Sequence, residues 1–382
     1  VKRGVQLTFF AIFIQHFYPY MLSAPQDMRA WLLALTCFAL LFPMFMRIPL
    51  QMPKWRYTAI KLSAYGVAIV MMLCTDYAND TEFNLYTSNI IILLLANMAF
   101  WGSLTYLLTM YSWWMRIAVL AALAGIVLSA QTEGTWAQAM WDYTPLPWMY
   151  RFEYLRYLFI VLPGSMAGEL VMKWMDRPIG ERNTKNTPRA VAYGMLGISI
   201  SLILVNLVGL YNHWSLVTLV VSALLIVAGW ILAYHQSSDG VLWYELLLLS
   251  AAFLLIGLCF EPFQGGIKKD GPTFSYFFVT SGLACMALMA FHVICDYFCL
   301  HRSTNFLVMS GQNPMIAYVA CDLLIYPLFN LLGVMSGLSI FASNPWLGFL
   351  QGILFTSLAL LVTMFFTQIK CCLLYTSPSP RD

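Results

Sequence analysis

Charge is what this sequence has least of. Of its 382 residues, 10% are Asp, Glu, Lys or Arg, while 61% are hydrophobic and 16% aromatic. Mean hydropathy is +0.74. So little polar surface cannot keep a folded chain in water, which excludes the water-soluble classes and makes a bilayer the solvent. The two-residue alternation of a membrane β-barrel is missing too. The apolar runs are long instead, so the chain reads as an all-α, polytopic membrane helical bundle. The nine cysteines (37, 74, 259, 285, 295, 299, 321, 371 and 372) contain no CxxC pair. Most fall inside apolar runs, where they serve as small packing residues, and no disulfide or zinc framework follows. A basic excess is lacking as well. The formal charge is +3, which excludes a nucleic-acid partner as its cause and fits basic loops on one membrane face. No repeat of the inverted-transporter kind is visible.

What is present is a series of apolar segments, each near the ~20 residues needed to span a bilayer. Twelve candidates lie at about 5–22, 30–46, 58–74, 89–110, 116–130, 155–172, 190–211, 215–234, 241–260, 273–294, 315–335 and 346–368. With the first residue inside, alternate connections divide Lys and Arg fourteen against five, the fourteen lying inside. The positive-inside rule then puts both ends in the cytoplasm. The outer connections, Asp76–Glu82 and Gln131–Tyr150, are acidic and aromatic, as suits the headgroup level. The long inner connection Lys173–Arg189 is polar, with Gly, Pro and Asn, and joins two halves of the bundle.

The chain opens on Val1 and runs from Lys2 and Arg3 straight into an apolar segment, so a fragment of a larger reading frame is expected. At the other end Cys372–Asp382 (CLLYTSPSPRD) resembles the translation of a sequencing adapter. It is set aside as an artefact, leaving a membrane domain of residues 1–371.

Ionisable residues at membrane depth are costly and face a cavity or a partner. The candidates are His16, Glu169, Glu245, Glu261, His292, Asp296 and Asp322, with Asn97, Asn206, Asn313 and Asn330 as neutral partners. His292 and Asp296 are four apart and share one helix face, as a structural pair or as a proton-handling one. No metal site is expected from the nearby Cys295 and Cys299. Gly164-x-x-x-Gly168 is read as a helix-packing stripe. Glu169 is expected to snorkel to Lys173 or water, and His16 to be a satisfied buried histidine. One outer segment stands apart. Glu261-Pro262 is expected to break the preceding span, Gly265-Gly266 frees the backbone, and Lys268-Lys269-Asp270 follow. Two cations beside Glu261 and Asp270 suit an anionic substrate or a developing oxyanion, and equally a lipid phosphate or a local ion pair.

From here the sequence looks familiar. Glu261–Ala284, then Asp296, then Gly311–Val319 (GQNPMIAYV) resemble the C-terminal third of the heparan-α-glucosaminide N-acetyltransferase family, in its bacterial branch. That family carries a PxNKxLWSxSY-type segment, an Asp after the next helix, and a GxNxxxxYV helix start. Lys269 takes the position of the family lysine by its distance to Ser275-Tyr276. Asn313 and Tyr318 fall on the second motif, and Asp322 where the family has a carboxylate. Upstream, Tyr154–Val171 resembles the family's small-residue span. Asp270-Gly-Pro-Thr replaces the family's aromatic pair, which leaves acceptor specificity open.

The resemblance implies an acyltransferase of the bacterial inner membrane that moves an acetyl or acyl group from cytoplasmic acetyl-CoA to the amine or hydroxyl of an external sugar. Lys269, Tyr276, Asn313 and Asp296 would be catalytic or positioning groups. Glu261, Lys268, Asp270 and Asp322 would contact substrate. Arg47, Lys54, Arg56, Lys173, Arg177 and Arg182 would meet the CoA phosphates. The family's base histidine belongs to amino-terminal helices not found here, so this chain alone is expected to be inactive. The outer ends of the spans near 261–276 and 311–322 are expected to converge on one polar cavity holding Lys269, Tyr276 and Asn313. Membrane lipid, acyl-CoA and a glycan are the implied partners, with room for a homo-oligomer. A transporter or flippase for a glycan or lipid precursor is the alternative.

Overall fold

The computed structural model describes residues 2–46, 53–78, 81–177, 187–234, 238–338, 341, 344–371 and 373. In chain order the helices are α1 (Lys2–His16), α2 (Pro19–Leu22), α3 (Met28–Phe45), α4 (Lys54–Cys74), α5 (Ile90–Thr109), α6 (Trp113–Ser129), α7 (Trp136–Trp141), α8 (Leu158–Met175) and α9 (Arg189–Tyr211). Then come α10 (Ser215–Ala233), α11 (Ser238–Gln264), α12 (Phe274–His292), α13 (His301–Gly311), α14 (Pro314–Ala320), α15 (Tyr326–Leu331), α16 (Val334–Leu338) and α17 (Pro345–Gln368). A 3-10 turn, Phe152–Tyr157, leads into α8. The protein is a multi-pass, all-α membrane bundle.

Ten helical segments among the described residues are long and apolar enough to cross a membrane, against the twelve expected. The two that fall short have local causes. Proline disfavours helical backbone in the residue before it. Tyr18 is accordingly extended (φ −64°, ψ 133°) and Pro19 opens a new helix, which divides 5–22 into α1 and the short α2. The segment near 116–130 becomes the 17-residue α6, ended by the Gln131–Gly134 turn.

The expected break at Glu261-Pro262 is also displaced. Helix α11 runs through Pro262 to Gln264. A proline near a helix end costs only one backbone bond, while the actual stop is Gly265, at φ +66°. The Gly266 N–H donates to the Glu261 carbonyl at 3.1 Å, closing a Schellman turn.

The chain forms two compact units. The first comprises Asn97–Pro145 and Tyr150–His301. Its core is built on α11 and α12, which approach closely at two glycines. A Cβ on Gly257 would sit 2.7 Å from the Val279 nitrogen, and one on Gly282 would sit 2.9 Å from the Leu254 nitrogen. Ser250 donates to the Gly282 carbonyl at 2.8 Å across the same seam. Trp243, Leu246, Leu247, Leu254 and Met286 fill this core. Helices α9 and α10 are linked by a buried polar pair, Asn206 Nδ2 to Ser222 Oγ at 3.0 Å.

The second unit comprises Lys2–Ala96, Leu146–Met149 and Arg302–Asp382. Helix α14 continues through a π-helical turn, Cys321–Ile325, into α15, and this rod packs with α3 and α17. Ala320, Ile325, Phe355 and Ala359 form its centre. Aromatic contacts such as Phe10 to Phe45, at 5.6 Å, tie α1 to α3.

Candidate functional site

The Glu261–Tyr276 segment folds as the rim of a cavity in the first unit. After the Schellman turn the loop is pinned on itself. Thr273 N donates to the Lys268 carbonyl, and Lys268 N donates to Thr273 Oγ1, both at 3.3 Å. Thr273 then caps α12 by accepting from Tyr276 N, while Gln264 Oε1 accepts from Ser275 N at 2.9 Å. These bonds hold Lys268, Lys269 and Asp270 as an exposed tip.

Beneath the tip lies a cavity of about 300 Å³, lined by Gln131, Trp141, Arg156, Gln264, Thr273 and Phe277 among others. Arg156 is its cation. One guanidinium nitrogen donates to Glu153 Oε1 at 2.9 Å, and the group lies 5.8 Å from the Trp141 ring. Its buried Nε has no hydrogen-bond partner among the described residues. Because Gln264 Oε1 is held by Ser275, the NH₂ of that amide is the part left for a ligand. Tyr157 feels the charges of Arg156, Glu153 and Asp270 and the Tyr276 hydroxyl, so these groups share one neighbourhood. Glu261, three residues before Gln264 on α11, is 3% exposed, and its Oε2 has no partner among the described residues.

A second, apolar cavity of about 560 Å³ lies along α8 and α12 of the same unit. Gly164 and Gly168 line it from α8, opposite Tyr276, Ala284 and Leu288 of α12. This corrects the helix-packing reading of the glycine pair. A Cβ at either glycine would meet nothing within 4 Å among the described residues, so the stripe opens a groove where close packing was expected.

Glu169 is corrected as well. It is held from α6: Trp113 Nε1 donates to its Oε2 at 2.7 Å, and Arg116 pairs with its Oε1. Arg116, counted in the sequence as a loop cation, is fully buried, with its guanidinium 4.8 Å from the Tyr106 ring. Lys173 pairs with Glu245 at 3.4 Å instead.

His292 is buried between two tryptophans. Its Nδ1 accepts from Trp243 Nε1 at 3.0 Å, and the Trp174 ring lies 4.6 Å away edge-on. Asp296 follows in a π-helical turn, Val293–Tyr297. The π-turn starts directly after His292, so Asp296 stays about one helical turn from it, as the four-residue spacing expects. π-turns inside helices are frequent at functional sites.

In the second unit Tyr318 donates to Asn89 Oδ1 at 3.0 Å and shares a side-chain bond with Tyr18. Asp322, in the other π-turn, acts electrostatically on both tyrosines. Asn313 is fully buried and tied to backbone: its Nδ2 donates to the Cys371 carbonyl at 3.1 Å, and its Oδ1 accepts from Leu373 N at 3.2 Å. His16 Nδ1 bonds the Ile12 carbonyl at 2.8 Å, and its ring lies between Tyr77 and Phe83. The Asn84 backbone acts on the same ring as a second hydrogen-bond partner, and the histidine is buried as expected. Outside the spans, burial pushes the Tyr77 phenol well above its ordinary value. It therefore stays a neutral donor, to the Met72 carbonyl at 2.8 Å.

The structure thus gathers Glu261, Asp270 and Tyr276 at one end of the first unit, with Lys268 and Lys269 at the exposed tip. Asn313, Tyr318 and Asp322 belong to the second unit, and Asp296 to the first. Of the proposed CoA contacts, Lys54 and Arg56 begin α4, Lys173 lies in the last turn of α8, and Arg177 follows its cap. Arg47, Arg182 and nearly all of 372–382 lie outside the described residues. Sequence reasoning missed Arg156, Tyr157, Gln131 and Gln264. Arg156 was a signal, since the alternating count expects it on the face where few basic residues occur.

Among known proteins, a family model described as a domain of unknown function (DUF5009) matches residues 1–171. The matched stretch ends within α8, before the Glu261–Tyr276 rim and the 311–322 segment. No curated protein matches the chain, and no solved structure does.

Proposed function

We propose that this chain belongs to a membrane-embedded acyltransferase that takes its acyl group from an acyl-CoA and passes it to the hydroxyl or amine of a sugar. One observation carries the reading. The segment that bears the acyltransferase resemblance forms the rim of a cavity whose surroundings supply hydrogen-bond donors and, one helical turn away, a buried carboxylate. Acyl transfer needs both. Glu261 takes the proton of the acceptor as its oxygen or nitrogen bonds to the thioester carbonyl carbon. Arg156 and the amides of Gln131 and Gln264 donate to the oxyanion of the tetrahedral intermediate. The C–S bond then breaks, the CoA thiolate leaves, and the proton returns from Glu261 to sulfur. Tyr276 and Lys269 orient the acceptor at the rim. Lys173 and Arg177, at the far end of α8, supply cations for the CoA phosphates.

The assay is the protein in nanodiscs, with radiolabelled acetyl-CoA and a panel of hexoses and hexosamines. Turnover that falls about 10²–10⁴-fold in Glu261→Gln, with acetyl-CoA binding retained, supports the assignment. Unchanged turnover in that variant removes Glu261 as the base.

A transporter is the second reading, and a specific observation favours it. In the second unit a helix is interrupted by a π-turn that carries a carboxylate, Asp322 between α14 and α15. A spanning helix interrupted at an ionisable residue is a transporter feature. Uptake of labelled glycan precursor into proteoliposomes without any acyl transfer would decide for it.

A further inference from the structure

Asp322 carries a charge for which the second unit supplies no partner among the described residues. It lies in the middle of the spanning segment Pro314–Leu331, where a bare carboxylate is costly. No hydrogen bond reaches it there, and no Lys, Arg or His acts on it. The titratable groups within its field are Tyr18, Tyr318, Tyr326 and Cys321, three phenols and a thiol. None of them is a cation.

Two of these phenols have no hydrogen left to offer. Asn89 Oδ1 accepts from Ile92 N at 3.2 Å at the start of α5, which fixes that atom as the oxygen of the amide. Tyr318 must therefore donate to it, at 3.0 Å. In the bond between the two phenols Tyr18 is then the donor. A hydroxyl has one hydrogen, so Tyr18 and Tyr318 keep only lone pairs for Asp322.

The backbone adds a further oxygen. In the π-turn Tyr326 N donates to the Cys321 carbonyl, five residues back, and so is spent before it can serve Asp322. The next residue, Pro327, has no N–H. The Asp322 carbonyl is thus left without a helical donor at membrane depth. Acceptors are in surplus here, and that balance calls for a cation. One carboxylate matches one positive charge. No group of three or more His, Cys, Asp or Glu stands among the described residues to hold a divalent or transition metal. Carboxylate, carbonyl and phenol oxygens are hard ligands. Carbonyls freed where a membrane helix is interrupted coordinate such ions in transporters.

We propose that the Asp322 carboxylate and carbonyl, with the Tyr18 and Tyr318 oxygens, bind one alkali cation, for which sodium is the probe. The binding stands on this geometry. Coupling of the ion to movement of a solute would rest on the transporter reading above.

Thermal unfolding of the purified protein in detergent tests it, in chloride salts of sodium, potassium, methylammonium and N-methylglucamine at equal concentration. A ligand that binds only the folded state raises the melting temperature as its concentration rises. Sodium should do so and N-methylglucamine should not. Asp322→Asn should abolish the sodium response. In sodium-free buffer it should melt no lower than the unaltered protein, because it removes an unmatched charge. Tyr18→Phe keeps the ring and removes one oxygen. The sodium concentration giving half the response should then rise about tenfold, the worth of one contact to a charged group. Tyr77→Phe, which loses a phenol bonded to the Met72 carbonyl, should leave the sodium response unchanged. If Asp322→Asn does not fold, the pair Tyr18→Phe and Tyr77→Phe carries the comparison. No response to any salt, equal responses to all four, or a sodium response that survives in Asp322→Asn would each overturn the proposal. A response to methylammonium alone would overturn it in favour of an amine ligand. Sodium binding without sodium-driven uptake of a solute would refute the coupling alone and leave the site.

Discussion

At the scale of single residues, the most consequential pair is Arg116 with Glu169. A fully buried guanidinium is tolerable only with its charge matched; both terminal nitrogens of Arg116 are bonded, while its Nε has no partner among the described residues. Here Glu169 supplies the charge, Trp113 holds the other carboxylate oxygen, and Tyr106 lies beside the cation. Removing one partner strands the other. Arg116→Met and Glu169→Leu should each cost about 3 kcal/mol, while the double variant should recover much of that loss because no orphan charge remains. Thermal unfolding of the four proteins in one detergent measures it. Additive losses in the double variant would show that the two residues act independently.

At the scale of elements, the rim of the cavity depends on how α11 stops. The Schellman turn needs a residue with positive φ after Gln264, and Gly265 meets this without a Cβ penalty. Gly265→Ala should cost about 1–2 kcal/mol for the left-handed backbone alone. The loss should be local. Hydrogen exchange should quicken at the Gly266 amide and across 267–275, and stay unchanged in α9 and α10. Uniform destabilisation with no local quickening would show that another contact shapes the rim. The same scale explains why the glycine pair of α8 was misread. A GxxxG stripe permits close approach but does not compel it. Here the seam with glycines in contact is α11 with α12, through Gly257 and Gly282, which are far apart in sequence and follow no such pattern.

At the scale of the whole molecule, the alternating basic residues give an orientation to test. In a background with the native cysteines replaced by serine, Lys269→Cys should react with a membrane-impermeant maleimide in intact cells. Asn183→Cys, in the connection after α8, should react only after permeabilisation. The opposite pattern would invert the orientation and place the cavity mouth in the cytoplasm. The parity within the first unit is fixed by its chain path, since α8 to α11 run as successive spanning helices.

Composition and periodicity alone determined the helical membrane class and most span positions, because burial in lipid rewards any ~20-residue apolar helix whatever its neighbours. The chemically loaded segment 261–276 was legible for a similar reason: lysine, carboxylate and paired glycines at a span end stand out against an apolar background. Partnerships were not legible. Whether Glu169 met water, Lys173 or Arg116 depended on how α6 lies against α8, and sequence spacing does not encode that. The two π-turns that hold Asp296 and Asp322 leave no mark in a pattern of hydrophobicity. Neither does the use of Asn313, whose Nδ2 is spent on the Cys371 carbonyl 58 residues away. Local apolarity decided which residues are in the membrane, and tertiary packing decided which of their few polar atoms were left over for a ligand.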